Sequence, residues 1–371
     1  MEKVLSMNAH ASPSHAPIAP LSLKPDLAEA HRRGQAYIAG DLLDRPIVFV
    51  MAPREPGTPQ LRGTTYHDRV FDDVDDVVAR ILALARATWY GGEAIPTAWL
   101  SIGPDEVGCF CGADLKWHES AGDTNWSVPF VEDWDTALPL AIRDDSALWQ
   151  RLLSLYRRAA ESLAGHMLIG SLDLHTNMDL LASVRGPERL CMDLLECPEA
   201  IDRAMASARG VFPKVWSAIA EAGRMPERGY CHTLFSPEGA ACLQCDFSCM
   251  MSPADFRRWV LPALEEEAAT VRHVIYHWDG PEALVHADAL IASPLLHTLS
   301  YVPGAGHGSC ADYADLYRRV QAGGKGVEVW GSFEELQRLH RELRPEKVIY
   351  KTSADSPGEG ERILEWFRRN T

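Results

Sequence analysis

His277 and Asp279 stand two residues apart in His273-Val274-Ile275-Tyr276-His277-Trp278-Asp279-Gly280-Pro281, a short apolar run of β character that ends in glycine and proline. Alternation with period two puts both side chains on one side of a strand. An imidazole and a carboxylate placed this way can share a metal, exchange a proton or fix each other's tautomer. The Gly-Pro stop leaves the pair at a rim that a substrate could reach.

The elements that would position this pair are legible as alternation. Eight short apolar runs, Pro46 to Met51, Thr97 to Ile102, His166 to Leu174, Ala240 to Phe247, Val274 to Trp278, His297 to Val302, Gly326 to Trp330 and Lys347 to Thr352, are separated by stretches of helical period. Those stretches are Asp72 to Tyr90, Asp145 to Gly165, Glu188 to Ala222, Pro253 to Arg272, Pro281 to Ala292, Ala311 to Ala322, Phe333 to Glu342 and Pro357 to Arg369. Strand and helix alternating eight times predict an α/β chain folded as a (β/α)8 TIM barrel. No GxGxxG or GxxxxGK[ST] turn follows the early strands, which argues against a doubly wound nucleotide-binding sheet. A long insertion between the second and third units, Gly103 to Asp144, holds Trp117, Trp126 and Trp134 and reads as a lid, a pocket wall or a structural cover. Residues 1–22, rich in Ala, Ser, Pro and His, read as a disordered segment, and 23–371 as a single barrel domain.

In such barrels chemistry gathers at the C-terminal ends of the strands, and those ends supply the candidates. His277, Asp279, Asp246 and Tyr301 are candidate catalytic groups. Arg54, His175, Asn177, Trp278 and Trp330 are candidates for binding substrate, Arg54 through a guanidinium fork that suits a carboxylate or phosphate. His277, Asp279 and Cys245 form a candidate metal set, with Cys245 open to a second reading as a small buried apolar residue. Gly304 to Gly308 offers bare backbone amides, and His307 and Cys310 lie close to it in sequence.

Composition narrows the class. Lys and Arg total 36 against 52 Asp and Glu, a formal charge of -16 over 371 residues, which argues against a nucleic-acid surface or an anionic membrane face. Nine cysteines, an odd count with no apolar leader, suit a reduced, cytoplasmic protein, and no apolar run is long enough to span a bilayer.

Several segments resemble the uroporphyrinogen decarboxylase-like superfamily, and more closely its branch near the corrinoid- and zinc-dependent methyltransferases. They are Gly40-Asp41-Leu42-Leu43-Asp44-Arg45-Pro46, Ile102-Gly103-Pro104, Leu180 to Gly186, Leu243 to Ser248 with Met251-Ser252-Pro253, His277 to Pro281, and Tyr301 to Gly306. The resemblance implies the same barrel, methyl transfer to or from a small molecule, a corrinoid supplied by a partner protein, and a homodimer. In that branch zinc is held by HxC on the fifth strand and a Cys on the eighth. Asp279 stands where the first thiolate would be, and Thr352-Ser353 where the second would be. A divalent metal, zinc or a harder ion, would therefore meet His277 and Asp279 without thiolates, and a metal-free acid/base pair is the alternative. The superfamily's N-terminal Arg-rich signature is absent. A cofactor-free decarboxylase of a carboxylated, tetrapyrrole-like substrate is a second reading, and a non-catalytic small-molecule or corrinoid binding protein a third.

Overall fold

The computed structural model describes residues 18–57, 61–118 and 123–371. The fold is mixed α/β. Seven strands make one sheet in the order Thr88–Gly92, Ile47–Pro53, Val348–Ser353, Gly326–Trp330, Thr298–Val302, His273–Asp279, Ala240–Gln244, and every neighbouring pair is parallel except the first. Thr97–Ala98 and Leu168–Ile169 pair in parallel as a separate ladder, from which single bridges Gly170 to Cys231 and Asp173 to Cys242 lead to the Ala240–Gln244 side. Each of the eight apolar runs contains a strand. Among the described residues no ladder joins Thr97–Ala98 to Ile47–Pro53, and the antiparallel Thr88–Gly92 holds that edge. Sequence alone reads these residues as the end of a helix, but the helix stops at Ala87 because the Thr88, Trp89 and Tyr90 side chains suit extended backbone.

The helices close the hydrophobic side of the sheet. Ala147–Ser162 begins at Ser146, whose hydroxyl accepts the Trp149 amide, and buries Trp149, Leu152, Leu153, Leu155, Tyr156, Ala159 and Ala160 at helical spacing. Each large side chain so buried contributes roughly 1.5–3 kcal/mol before entropy is counted. The single helical stretch expected over Glu188 to Ala222 is three helices, Pro187–Glu196, Pro198–Ala208 and Phe212–Ala222, because Pro198 and Pro213 each start a new one. The helices Leu27–Ala39, Tyr66–Phe71, Glu106–Phe110 and Asn177–Arg185 were not anticipated.

The lead-in expected to be disordered falls mainly on residues outside those described. Within the described part, Leu21 is buried and the Ser22 amide donates to Gly165 O at 2.8 Å, so the chain is already packed there. The motif ending in Arg45-Pro46 has a structural role. Arg45 grips Glu93 with both ends of its fork, at 2.6 and 2.8 Å, and Glu93 also accepts the Val48 amide. This buried pair fastens the start of one strand to the end of its antiparallel neighbour.

Under the sheet's C-terminal rim, Glu267 of helix Leu261–Ala268 is buried and accepts the Thr176 hydroxyl at 2.7 Å, while its Oε2 has no partner. Burial raises its pKa from 4.5 to about 8. The stability contributed by the neutral carboxyl is whole below the unfolded value and is lost as pH rises through the folded one. Melting temperature is therefore expected to fall as pH rises from about 5 to 9, and Glu267→Gln to remove that part of the fall. Identical pH profiles for the two proteins in thermal unfolding would contradict this.

Candidate functional site

The strand His273–Asp279 presents Ile275 and His277 to a cavity of about 550 Å³, while Tyr276 and Trp278 join the core on the opposite face. Its neighbours obey the same alternation. Cys242, Ser300 and Val302, Glu328 and Trp330, and Phe49 and Met51 also line the cavity. The strand ends at Gly280, which takes φ +81 and donates its amide to Val302 O at 2.9 Å, so Asp279 is the last residue before the chain turns away.

Asp246 arrives from the next strand over, at the start of a 3-10 turn, Asp246–Met250. Among the described residues Asp246, His277 and Asp279 form the one group of three or more ligand-type side chains with donor atoms all within 4.8 Å of one another. Asp179, in the first turn of helix Asn177–Arg185, sets Asp246 in place. Its carboxylate oxygens accept the backbone amides of Asp246 at 3.0 Å and Phe247 at 2.8 Å. The His175 ring lies 3.6 Å from Asp179 and 3.9 Å from Asp246. The loop that carries His175 is pinned by Asn177, which sits at φ +50 and donates from its amide to Gln244 O at 3.1 Å.

The electrostatics of the rim are strongly perturbed. Burial, together with the charge of Asp179, raises the Asp246 pKa from 3.8 to about 6, and His175 and His277 only partly offset this. Burial works against a charged His175, yet the hydrogen bond and charge of Asp179, with Asp246 and Asp173, raise its pKa to about 9. A protonated imidazole thus sits beside a cluster of carboxylates.

Deeper in the cavity is a second polar group. Lys351 pairs with Glu328 at 2.9 Å and donates to the Thr233 hydroxyl at 2.9 Å, while Thr233 and Ser300 both donate to Glu328. The Lys351 ammonium lies over the Trp330 ring, 4.7 Å from its centroid. Burial opposes ionisation of Glu328, but Lys351 outweighs it and the pKa falls below the ordinary value. His232 lines the same space, with its Nδ1 buried and unpartnered, and burial lowers its pKa to about 4, so it is neutral near pH 7. Asp173 lines it too, with Oδ1 buried and without a donor.

Of the residues singled out from sequence, His277, Asp279 and Asp246 come together, and His175 and Trp330 line the cavity. The others are placed elsewhere. Cys245 is buried in the core and outside the ligand group, because the strand's alternation turns it away from the rim. Trp278 is buried and donates its indole N–H to Ala283 O, and Tyr301 packs edge-on against it from the same outer face. Asn177 is fully buried and serves the backbone. Arg54 is exposed, and its fork donates to the carbonyls of Arg86 and Thr88. His307 and Cys310 do not join the ligand group. In the long insertion, Trp134 is buried and donates to Asp193, and Asn125 and Ser127 are tied to Ile102 O, Asp105 and Ser183 O, so these parts of the insertion are fastened to the body of the fold. Sequence reasoning missed the Lys351–Glu328 pair, His232 and Arg69. A charged residue in the middle of an apolar strand, as in Gly326-Val327-Glu328-Val329-Trp330, was the available signal for the first.

No family model matches the chain, and no curated protein matches it. Among solved structures it is similar to a methyltransferase from Methanosarcina mazei, with a TM-score of 0.55 and 13% sequence identity over 92% of this chain and 98% of that one. The similarity establishes a shared fold.

The coupling of His175 to Asp179 can be measured directly. In an imidazole-labelled NMR titration His175, assigned with a His175→Gln variant, is expected to titrate near 9, and Asp179→Asn to bring it down toward the ordinary 6.5. An unchanged His175 titration in Asp179→Asn would contradict the assignment.

Proposed function

We propose that the chain is a methyltransferase-type enzyme whose reaction takes place at the cavity mouth, where Asp246, His277 and Asp279 hold a divalent cation. The observation that carries this reading is the convergence of those three ligand atoms within 4.8 Å, in a fold shared with a methyltransferase. The donor set fits such an ion. Asp246 Oδ1 is a buried acceptor with no donor, and its neighbours Asp179 and Asp279 add to the local negative charge that a cation would relieve. Two carboxylate oxygens and one imidazole nitrogen make a harder set than thiolates, suited to zinc, manganese or iron(II). When bound, such an ion would lower the pKa of an acceptor thiol or hydroxyl.

The chain's own residues supply the rest. Asp179 holds the Asp246 loop by two amides, so the ligand carboxylate keeps its position while substrate enters. His175, protonated near neutral pH, can hold a developing anion beside the rim. Ile275, Val302 and Met51 line the cavity with apolar surface that suits an apolar part of the substrate. In this reading the strands of both ladders form one barrel-like wall, and the methyl donor is a corrinoid carried by a partner protein. The resemblance to the uroporphyrinogen decarboxylase-like superfamily supports both points.

The test is methyl transfer from methylcobalamin to 3-mercaptopropionate, followed by loss of the methyl–cobalt absorbance, in EDTA-treated protein with and without one equivalent of zinc or manganese. Metal-dependent turnover is expected, with His277→Ala and Asp246→Asn each slowing it by about 100-fold. Turnover indifferent to the metal and to both substitutions would overturn the proposal.

A further inference from the structure

The N-terminal ends of four neighbouring parallel strands meet at a second cavity, on the rim of the sheet opposite the Asp246, His277 and Asp279 cluster. His273 opens the strand that ends at Asp279, while His297, Lys325 and Lys347 each stand one residue before Thr298–Val302, Gly326–Trp330 and Val348–Ser353. All four line a space of about 170 Å³. The Val274 amide donates to His297 Nδ1 at 3.1 Å, so the ring proton sits on Nε2, which has no acceptor among the described residues. Lys325 Nζ donates to the Ser293 carbonyl, and Lys347 Nζ has neither a hydrogen bond nor an ion pair among the described residues. His273 is only 1% exposed, and both of its ring nitrogens are buried without partners. Burial, and then His297 with its ring centroid 5.3 Å away, lower the His273 pKa to about 3, so the ring is neutral and keeps one N–H.

No carboxylate lines this space. The charges felt at His297 are those of Lys325, Arg272 and Lys347, all of one sign. The acids nearby are engaged. Glu346, which feels the charge of Lys347, pairs with Arg344 at 2.6 Å, Glu238 pairs with Arg272 at 3.2 Å, and Glu265 accepts the Ser293 hydroxyl at 2.8 Å. Burial and then the charge of Lys347 hold the Lys325 pKa below its ordinary value. Two ammonium groups and two imidazoles thus converge as donors from four strand starts, with no anionic acceptor between them. Such a space is complementary to an oxyanion, and a dianion relieves both lysines at once. Tetrahedral oxygens reach donors that arrive from different directions, as these do.

We infer that Lys325, Lys347, His273 and His297 form a binding site for a phosphate group, either inorganic phosphate or the monoester of a small molecule. The site shares no residue with the cavity that His277 lines, so it is independent of the methyl-transfer reading. Bound there, phosphate joins the starts of four strands, and occupancy adds to the stability of the fold.

Thermal unfolding and calorimetry of the EDTA-treated full chain test the site without any turnover, using sodium phosphate, glycerol 3-phosphate and sodium chloride at matched ionic strength. Phosphate or its monoester is expected to raise the melting temperature saturably while chloride does not, and whichever of the two binds more tightly identifies the source of the group. Lys347→Met is expected to weaken that binding by about 10- to 100-fold, and Lys347→Arg, which keeps the charge, to retain part of it. In an imidazole-labelled NMR titration of the unaltered protein, phosphate is expected to move the His297 signals, assigned with His297→Gln, at concentrations that leave His277 in place. This second measurement keeps the test decisive even where a variant fails to fold. Equal effects of phosphate and chloride, binding that survives Lys347→Met undiminished, or phosphate shifts at His277 without shifts at His297 would overturn the inference. Because no metal and no methyl donor are present, failure of the methyl-transfer assay leaves this result standing, and the reverse also holds.

Discussion

Alternation along the His273–Asp279 strand is the constraint on which the site depends. The strand has parallel neighbours on both sides, in register over His273 to His277 with Ala240–Gln244 and over Ile275 to Asp279 with Thr298–Val302. Turning it over by one residue would carry Tyr276 and Trp278 out of the core and drive His277 and Asp279 into it. Two buried aromatics contribute roughly 1.5–3 kcal/mol each, and two polar groups forced into apolar surroundings would add a penalty of similar size, so the orientation is set by the core rather than by the chemistry. Function takes the face that packing leaves open.

Asp246 reaches the same point by a different route. It follows the end of its strand, where no ladder fixes it, and its place depends on Asp179, which follows the neighbouring segment bridged at Asp173 to Cys242. Asp179 in turn sits on a helix entered through Thr176 and Asn177, whose side chains are held by Glu267 and Gln244 O. The ligand cluster is therefore assembled from three connections, each tied to the next by a buried polar contact. Such networks are demanding, because every member must find a partner. Asp246 Oδ1 and Asp173 Oδ1 have none.

The sequence showed eight strands because each is a short apolar run bounded by helical period, while Thr88–Gly92 was hidden at the end of a helical stretch, and it offered His277, Asp279 and Asp246 because strand ends are where this architecture places chemistry. It was less informative wherever direction matters. Trp278 and Tyr301 stand at the same strand ends as their neighbours, and only the alternation, counted from the core, turns them outward. Cys245 beside Asp246 is separated from it by the same step of one residue. Arg69 was invisible because its helix, Tyr66–Phe71, is a single short turn with no periodicity to detect, and its neighbours Ser101 and Thr64 come from separate segments. Arg54 and Arg69 are indistinguishable as residue types. What separates them is burial, which a linear pattern does not encode.

The central claim is that Asp246, His277 and Asp279 hold a divalent cation beside the cavity that His277 lines. Crystals soaked in manganese chloride and measured for anomalous scattering test it most directly. The account expects an anomalous peak bounded by the Asp246 and Asp279 carboxylates and the His277 ring, and absent in His277→Ala crystals. A peak elsewhere in the cavity, or none at these three residues under the same soak, would contradict it.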